Sequence, residues 1–368
     1  MAADDTPAKE SPEELKALRE QIRAWALELG FDAAGFAPAV VPPGYGHYQE
    51  WLAAGHEAGM AYMRRQEAAR RHPSSVLEPV ATVIVVMLNY RPGGDLSKVG
   101  KPSSRHGRVA AYARGVDYHG VFWQRLEGLL GKIKAERPDV QGRAVCDSAP
   151  LMERDYACLA GLGWVGKNTC MISRKVGSMT LLGSLLVDLP LPPDEPFTAD
   201  HCGTCTRCLD ACPTDAFGGP GQLDARKCIS YWTIEHKGPW TEETPDSMHG
   251  WVFGCDVCQE VCPWNRKSPV GQDLEVGSRA AWAEVDLLDW LKMEPESFRR
   301  MIRGTALERT KRAGLLRNAM SILVEEGDPA AMTEIRRLAE SDPDEKVRQA
   351  AEEGLAKLNA RGGDLQVS

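Results

Sequence analysis

Between Cys202 and Cys262 the chain carries eight of its eleven cysteines, and their spacing restricts what it can become more than any other feature. Cys202-x2-Cys205-x2-Cys208-x3-Cys212-Pro213 is the bacterial run in which three thiolates hold one iron–sulfur cubane and the fourth, before proline, crosses to another. The matching half is split. Cys255-x2-Cys258-x3-Cys262-Pro263 keeps the end of the run, and its missing first member stands upstream at Cys228. The crossing rule then gives Cys202, Cys205, Cys208 and Cys262 to one four-iron cluster, and Cys212, Cys228, Cys255 and Cys258 to a second. Paired Cys-x2-Cys units also build structural zinc sites, but zinc does not need a triplet or two Cys-Pro endings. A radical-generating cluster, with Cys-x3-Cys-x2-Cys, has the spacings in the opposite order. Clusters that exchange a ligand sit close together and pass single electrons, so the module is a wire and the chemistry lies elsewhere.

The rest of the chain is long enough for further cores. Leu15, Leu18, Ile22, Trp25 and Leu29 recur at helical steps and end at Gly30. Thr82 to Leu88 is an unbroken, β-branched run, expected of a strand covered on both faces. Helical pattern follows from Tyr118 to Glu136, a short strand at Ala144 to Cys146, a helix after Pro150 and a strand at Thr180 to Val187. This alternation predicts a layered α/β or α+β domain over residues 1–195. Leu189 to Pro196 is too rich in proline for regular structure and reads as a linker. The cluster module occupies 196–268. Residues 269–368 are helical in pattern, and Asp328-Pro329 and Asp342-Pro343 each place a capping residue before a first-turn proline. A short unit of stacked helical repeats is expected there. Met1 to Ser11 lacks the basic and apolar blocks of an export signal, and no apolar run of about 18 residues occurs. A cytoplasmic monomer without a membrane span is expected, in which cysteines serve as ligands and not as disulfides.

Two motifs of the first domain stand out. Gly161-Leu-Gly-Trp-Val-Gly166-Lys167-Asn168 imitates a phosphate loop, yet Asn168 stands where Ser or Thr must bind magnesium, and the loop follows a helix. Its glycines more simply let the backbone approach something bulky. Asp147 follows a buried strand. It is either a helix cap or a carboxyl group whose pKa burial raises until it can donate a proton.

Taken together, Ala111-Tyr-Ala-Arg-Gly-Val-Asp-Tyr-His119, Asp147-Ser-Ala-Pro-Leu-Met-Glu-Arg154, Gly161 to Thr169, the split cysteine module and Gly254-Cys-Asp-Val-Cys-Gln-Glu-Val-Cys-Pro-Trp-Asn265 resemble the epoxyqueuosine reductases over nearly the whole chain. The resemblance implies an oxidoreductase that uses cobalamin and performs the last step of queuosine synthesis, reducing epoxyqueuosine at the wobble position of tRNA anticodons. It implies a cobalamin-binding α/β domain, a ferredoxin-like module with two [4Fe-4S] clusters and a HEAT-like helical segment. Low-potential clusters suit the reduction of corrin cobalt. By the same resemblance Asp147 is the proton donor. The corrin would contact Asp147, Met171, Leu182, Ser230 and Asp256, with Arg71 and Ala111 as further positions. Asp117-Tyr-His119 begins the signature of histidine-ligated cobalamin proteins, but Phe122 stands where glycine belongs. The corrin would therefore be held without that histidine.

The net charge of −8 argues against broad nucleic-acid binding. A basic run from Arg299 to Arg317 could still attract phosphate locally, and Arg309, Lys311, Arg312 and Arg317, with His236 and Lys237, are the expected tRNA contacts. An unidentified low-potential electron donor completes the partners. The competing readings are a dehalogenase-like corrinoid enzyme, which usually carries an export signal, and a ferredoxin-type carrier without catalysis of its own.

Overall fold

The computed structural model describes residues 11–96, 105–277 and 282–364, so the acidic first ten residues lie outside it. Its first layer is a four-stranded sheet in the order Ala33–Pro38, Thr82–Asn89, Thr180–Val187, Gly142–Val145. Every pairing in it is antiparallel. All residues of Thr82–Asn89 are buried, because helices cover both faces. The helices Pro12–Glu28 and Tyr118–Glu136 supply Leu18, Ile22, Phe122, Leu126 and Leu129 to one face. The helix Glu153–Leu159 supplies Tyr156 and Ala157 to the other. Gly183 permits the close seat of the longer helix: a Cβ there would stand 2.3 Å from the Phe122 ring.

Local signals set the helix starts. Ser11 Oγ accepts from the Glu14 N–H at 3.2 Å and Glu14 accepts from the Ser11 N–H at 2.8 Å, a reciprocal cap followed by Pro12. The proline-rich stretch after Leu189 forms no regular element, but it is not a free tether. Asp194 receives Arg23 at 2.7 Å and the Phe36 N–H at 2.9 Å, and Leu189 and Leu191 are buried.

A second core joins segments that are far apart in sequence. The strand His106–Val109 lies between Trp251–Phe253, which runs parallel to it, and Glu284–Asp286, which is antiparallel. This small sheet packs on the helix Lys311–Glu326 through Leu315, Leu316, Ala319 and Leu323, and on the helices Leu287–Lys292 and Pro329–Ser341. Asp328 caps the last of these, accepting from Ala330 N–H at 2.8 Å. Asp342 does not cap the next. The helix Glu345–Asp364 starts after Asp344, which accepts from Lys346 N–H at 3.0 Å. Asp342 accepts the Asp344 N–H at 3.0 Å and takes both guanidinium arms of Arg312, at 3.0 and 2.6 Å. Among the described residues no helix is long and apolar enough to cross a membrane.

Candidate active site and cluster-binding sites

The first four predicted ligands converge. Cys202, Cys205, Cys208 and Cys262 line one cavity of about 270 Å³, together with Lys167, His201 and Trp264. The first three come from the turn around the short helix Arg207–Asp210, and Cys262 arrives from the segment before Pro263–Arg266. The other four also gather. Cys228 feels the charge of Cys212, Cys255 that of Cys228 and Cys212, and Cys258 that of Cys255 and Cys228. All eight are free thiols. Among the described residues no group of His, Cys, Asp or Glu is drawn together tightly enough to hold a single metal ion. Thiols standing back around a cavity suit a cubane, whose four iron corners each take one sulfur.

The glycine-rich segment is a hairpin, not a phosphate loop. Trp164–Val165 pairs with Met171–Ile172, and a Cβ on Gly163 would stand 2.0 Å from the Ile172 carbonyl. Gly163 and Gly166 approach Ile172 of the hairpin's own return strand, and Gly161 approaches the Glu195 carbonyl.

A second cavity, of about 460 Å³, opens beside the second set of cysteines. Its wall includes Asp117, Tyr118 and His119 from the start of the helix Tyr118–Glu136, Asp147 from the end of the strand Gly142–Val145, and Cys228, Ser230, Tyr231 and Arg309 from the later segments. Tyr118 Oη donates to Asp147 Oδ2 at 3.1 Å. His119 places Nδ1 2.7 Å from Asp117 Oδ1 and Nε2 3.7 Å from Asp147 Oδ2. Nδ1 is thus held by Asp117, while Nε2 faces the Asp147 carboxylate beyond hydrogen-bond distance. Asp147 adopts φ +56°, a conformation rare for a residue with a side chain, and its N–H donates to Glu153 Oε1 at 3.0 Å.

These contacts set the protons. The neighbouring His119 outweighs what desolvation remains on the largely exposed Asp147 side chain and holds its carboxyl below the ordinary value, opposite to the expectation that burial raises it. Burial alone would depress His119, but Asp117 and Asp147 overcome it and raise the imidazole to about 9. Burial, then the Asp147 charge, pushes Glu153 up to about 8. Asp147 caps no helix, since the next one begins at Glu153.

The remaining expected site residues divide. Ser230 lines the cavity. Met171 is buried in the hairpin, Leu182 is half-buried in the central sheet, Asp256 is buried and accepts the Ala111 N–H at 2.6 Å, and Arg71 is exposed after the helix Glu67–Arg70. None of these four lines the cavity. Arg309 does, gripping Glu235 at 2.6 and 3.0 Å, and Lys237 Nζ donates to the Arg309 carbonyl at 3.0 Å. His236 is half-buried against Trp232 and Trp240, and Lys311 is exposed. Two expected RNA contacts are corrected. Arg312 is sealed in its pair with Asp342, and Arg317 is buried, donating to the carbonyls of Trp232, His236 and Gly238. Neither guanidinium is available to a phosphate. Sequence reasoning had assigned no role to Tyr118 or Glu153, although both lie inside the quoted motifs; an acid in a first helical turn gives no sign that it will grip a backbone N–H six residues earlier.

Residues 70–148 match the family described as "Epoxyqueuosine reductase QueG, DUF1730", and residues 201–265 match the "4Fe-4S double cluster binding domain". The epoxyqueuosine reductase of Pseudomonas aeruginosa is 38% identical over 348 residues, covering 94% of this chain and 96% of the relative. This chain belongs to the epoxyqueuosine reductase family. The Escherichia coli epoxyqueuosine reductase is 34% identical and covers 95% of this chain and 93% of its own. A crystal structure of an epoxyqueuosine reductase with an epoxyqueuosine-modified tRNA-Tyr stem loop superimposes with a TM-score of 0.85 at 27% identity, covering 94% of this chain and 91% of that one. The family fixes the chain as an oxidoreductase, and its double-cluster domain as one that binds iron–sulfur clusters. A Bacillus subtilis epoxyqueuosine reductase, TM-score 0.83 at 26% identity over 94% of this chain and 91% of that one, is described with an aspartate-bearing catalytic loop swung out of the active site.

Proposed function

We propose that this chain reduces epoxyqueuosine to queuosine at the wobble position of a tRNA anticodon, as the last step of queuosine synthesis, with Asp147 and His119 as its proton-transfer pair. What carries the proposal is the meeting of that pair with Cys228, a ligand of the second cluster, on the wall of one cavity. The reaction consumes two electrons and two protons: both epoxide C–O bonds break, a C=C bond forms, and the oxygen leaves as water. At neutral pH the proton resides on His119, while Asp147, on the same cavity wall 3.7 Å away, stands ionised. Asp147 therefore conducts the His119 proton to the developing alkoxide, with Tyr118 holding Oδ2 in place, and solvent restores the pair for the second proton. Glu153, on the Asp147 N–H, keeps the loop turned inward.

The residues present fit cobalamin. Tyr112, Tyr118 and Tyr231, with the apolar Met60, Leu223 and Ile234, line the cavity and offer the apolar face that a corrin needs, and Asp147 and Ser230 add polar groups for its amides. Asp147 and Ser230 on the wall, with Met171, Leu182, Asp256 and Arg71 further out, would hold it. When bound it supplies a strongly reducing, nucleophilic cobalt. His119, held through Nδ1 by Asp117 with Nε2 facing Asp147, acts on protons.

Segments 1–195, 196–268 and 269–368 serve as cobalamin domain, two-cluster module and HEAT-like, RNA-contacting unit. Exposed Arg299, Arg300, Arg303, Arg309, Lys311 and Lys237 are the basic groups left for the anticodon arm once Arg312 and Arg317 are set aside. The protein works as a cytoplasmic monomer with a low-potential electron donor. The test is anaerobic reconstitution with iron, sulfide and cobalamin, then assay on tRNA bearing epoxyqueuosine. Wild-type protein forms queuosine, and Asp147→Asn, with both cofactors retained, loses at least ~100-fold in rate. Undiminished turnover in that variant removes Asp147 from its role, and a protein that takes up iron but no corrin removes cobalamin.

A further inference from the structure

The hairpin that imitates a phosphate loop lies against both cluster sites, and its side chains are committed to them. Lys167 lines the first cavity with Cys202, Cys205, Cys208 and Cys262, and its Nζ donates to the Gly203 carbonyl, inside the Cys202–Cys205 turn, at 2.6 Å. Its own carbonyl accepts from Gly221 N–H at 2.9 Å, so backbone and ammonium are fixed at both ends. Asn168, 3% exposed, donates to the Cys258 carbonyl at 3.3 Å and accepts the Cys170 N–H at 3.3 Å, which ties the same turn to the second cluster. No other ammonium or guanidinium is among the residues lining the first cavity. The glycines make this placement possible, because the hairpin can close on itself only where Gly163 lets Ile172 approach.

Each reduction adds negative charge to a cluster that four thiolates already make negative. A fixed cation in a partly buried wall favours the reduced form, and net charge near the cluster is one of the quantities that set its potential. The second cluster faces the active-site cavity through Cys228, so the first is the one farther along the wire. We propose that Lys167 is a tuning residue for the first cluster: its ammonium raises that cluster's potential, making it the port that accepts a single electron from a low-potential one-electron carrier before the electron moves to the second cluster. The carrier is oxidised by one electron, the cluster is reduced by one, and no bond is made or broken.

The proposal rests on the ligand sets given above, and the experiment separates the two. Holoprotein reconstituted with iron and sulfide is titrated with dithionite and followed by electron paramagnetic resonance, as wild type, Lys167→Met, Lys167→Gln and Lys167→Arg, with the exposed Lys175→Met as control. Lys167→Met and Lys167→Gln are expected to lower the equilibrium constant for one-electron reduction of one cluster roughly tenfold, a fall of ~59 mV in its midpoint, and to leave the other cluster unmoved. Lys167→Arg and Lys175→Met keep the wild-type values. Two unmoved midpoints at full iron content, or two midpoints that fall together, overturn the role of Lys167 while leaving the ligand sets standing. Wild-type protein that binds no iron overturns the ligand sets. Loss of iron from both neutral variants but not from Lys167→Arg overturns tuning in favour of a part in cluster assembly.

Discussion

Two carboxylate–cation pairs in this molecule are built from similar parts and serve opposite ends. Arg312 and Asp342 meet through two bonds of 3.0 and 2.6 Å with side chains only 6% and 2% exposed. His119 and Asp147 meet once, at 3.7 Å, with side chains 26% and 64% exposed. The first pair is sealed, so its charges cannot change partner, and it holds the helix Lys311–Glu326 to the turn before the last helix. The second stays open on one side, at a backbone angle that costs energy, because a proton that must leave needs a path. Enclosure, more than charge, separates the structural pair from the reactive one.

The contrast breaks most sharply at Arg312. Arg312→Ala strands the Asp342 carboxylate and is expected to cost about 3–5 kcal/mol in urea unfolding. If its tRNA affinity per folded molecule also falls, Arg312 is not purely structural. Next in size is His119→Gln, expected to lower turnover about tenfold at neutral pH. In the wild type the imidazole keeps its proton up to about 9, so turnover falls as pH rises through that value, and the variant should lack this limb. The sign for stability agrees. A raised His119 contributes fully below its ordinary 6.5 and loses that contribution as pH rises through about 9; the lowered Asp147 contributes above the ordinary carboxylate range and loses it in acid. A melting temperature that rises between pH 7 and 9 would contradict the pair. Glu153→Gln is expected to cost a few-fold in rate with little change in the substrate's KM, and faster amide hydrogen exchange at Asp147 and Ser148 would show the loop released. The smallest effect is expected from Arg303→Ala: stability within about 0.5 kcal/mol, with a shallower salt dependence of tRNA binding.

Much of this was legible in the sequence because it is written locally. The cysteine spacings specify turns, and Cys262, from the far end of the module, lines the cavity of Cys202, Cys205 and Cys208. Leu15 to Leu29 at helical steps and Asp328 with Pro329 announce helices that the structure keeps. Asp342-Pro343 carries the same local signal, and Asp342 Oδ1 does accept the Asp344 N–H at 3.0 Å, but the helix starts only at Glu345 and the carboxylate is shared with a guanidinium thirty residues upstream. Arg312 and Arg317 illustrate the same limit. In a run of cations nothing local separates the two that the helix turns inward from those it leaves in water. The acid–base logic at Asp147 was hidden for a related reason. Its carboxyl is held low by His119, Tyr118 and Arg309, and only the fold determines that these surround it.

The small sheet that joins His106–Val109 to Trp251–Phe253 rests on a helix that begins at Lys311. A nascent chain that has just been synthesised through Cys262 owns every sulfur it will use, yet lacks the support beneath Phe253, one residue from Gly254-Cys255. Cluster insertion at that site should therefore wait until translation has passed the last helices, so truncation of the tail would register as missing iron before it registers as lost RNA affinity.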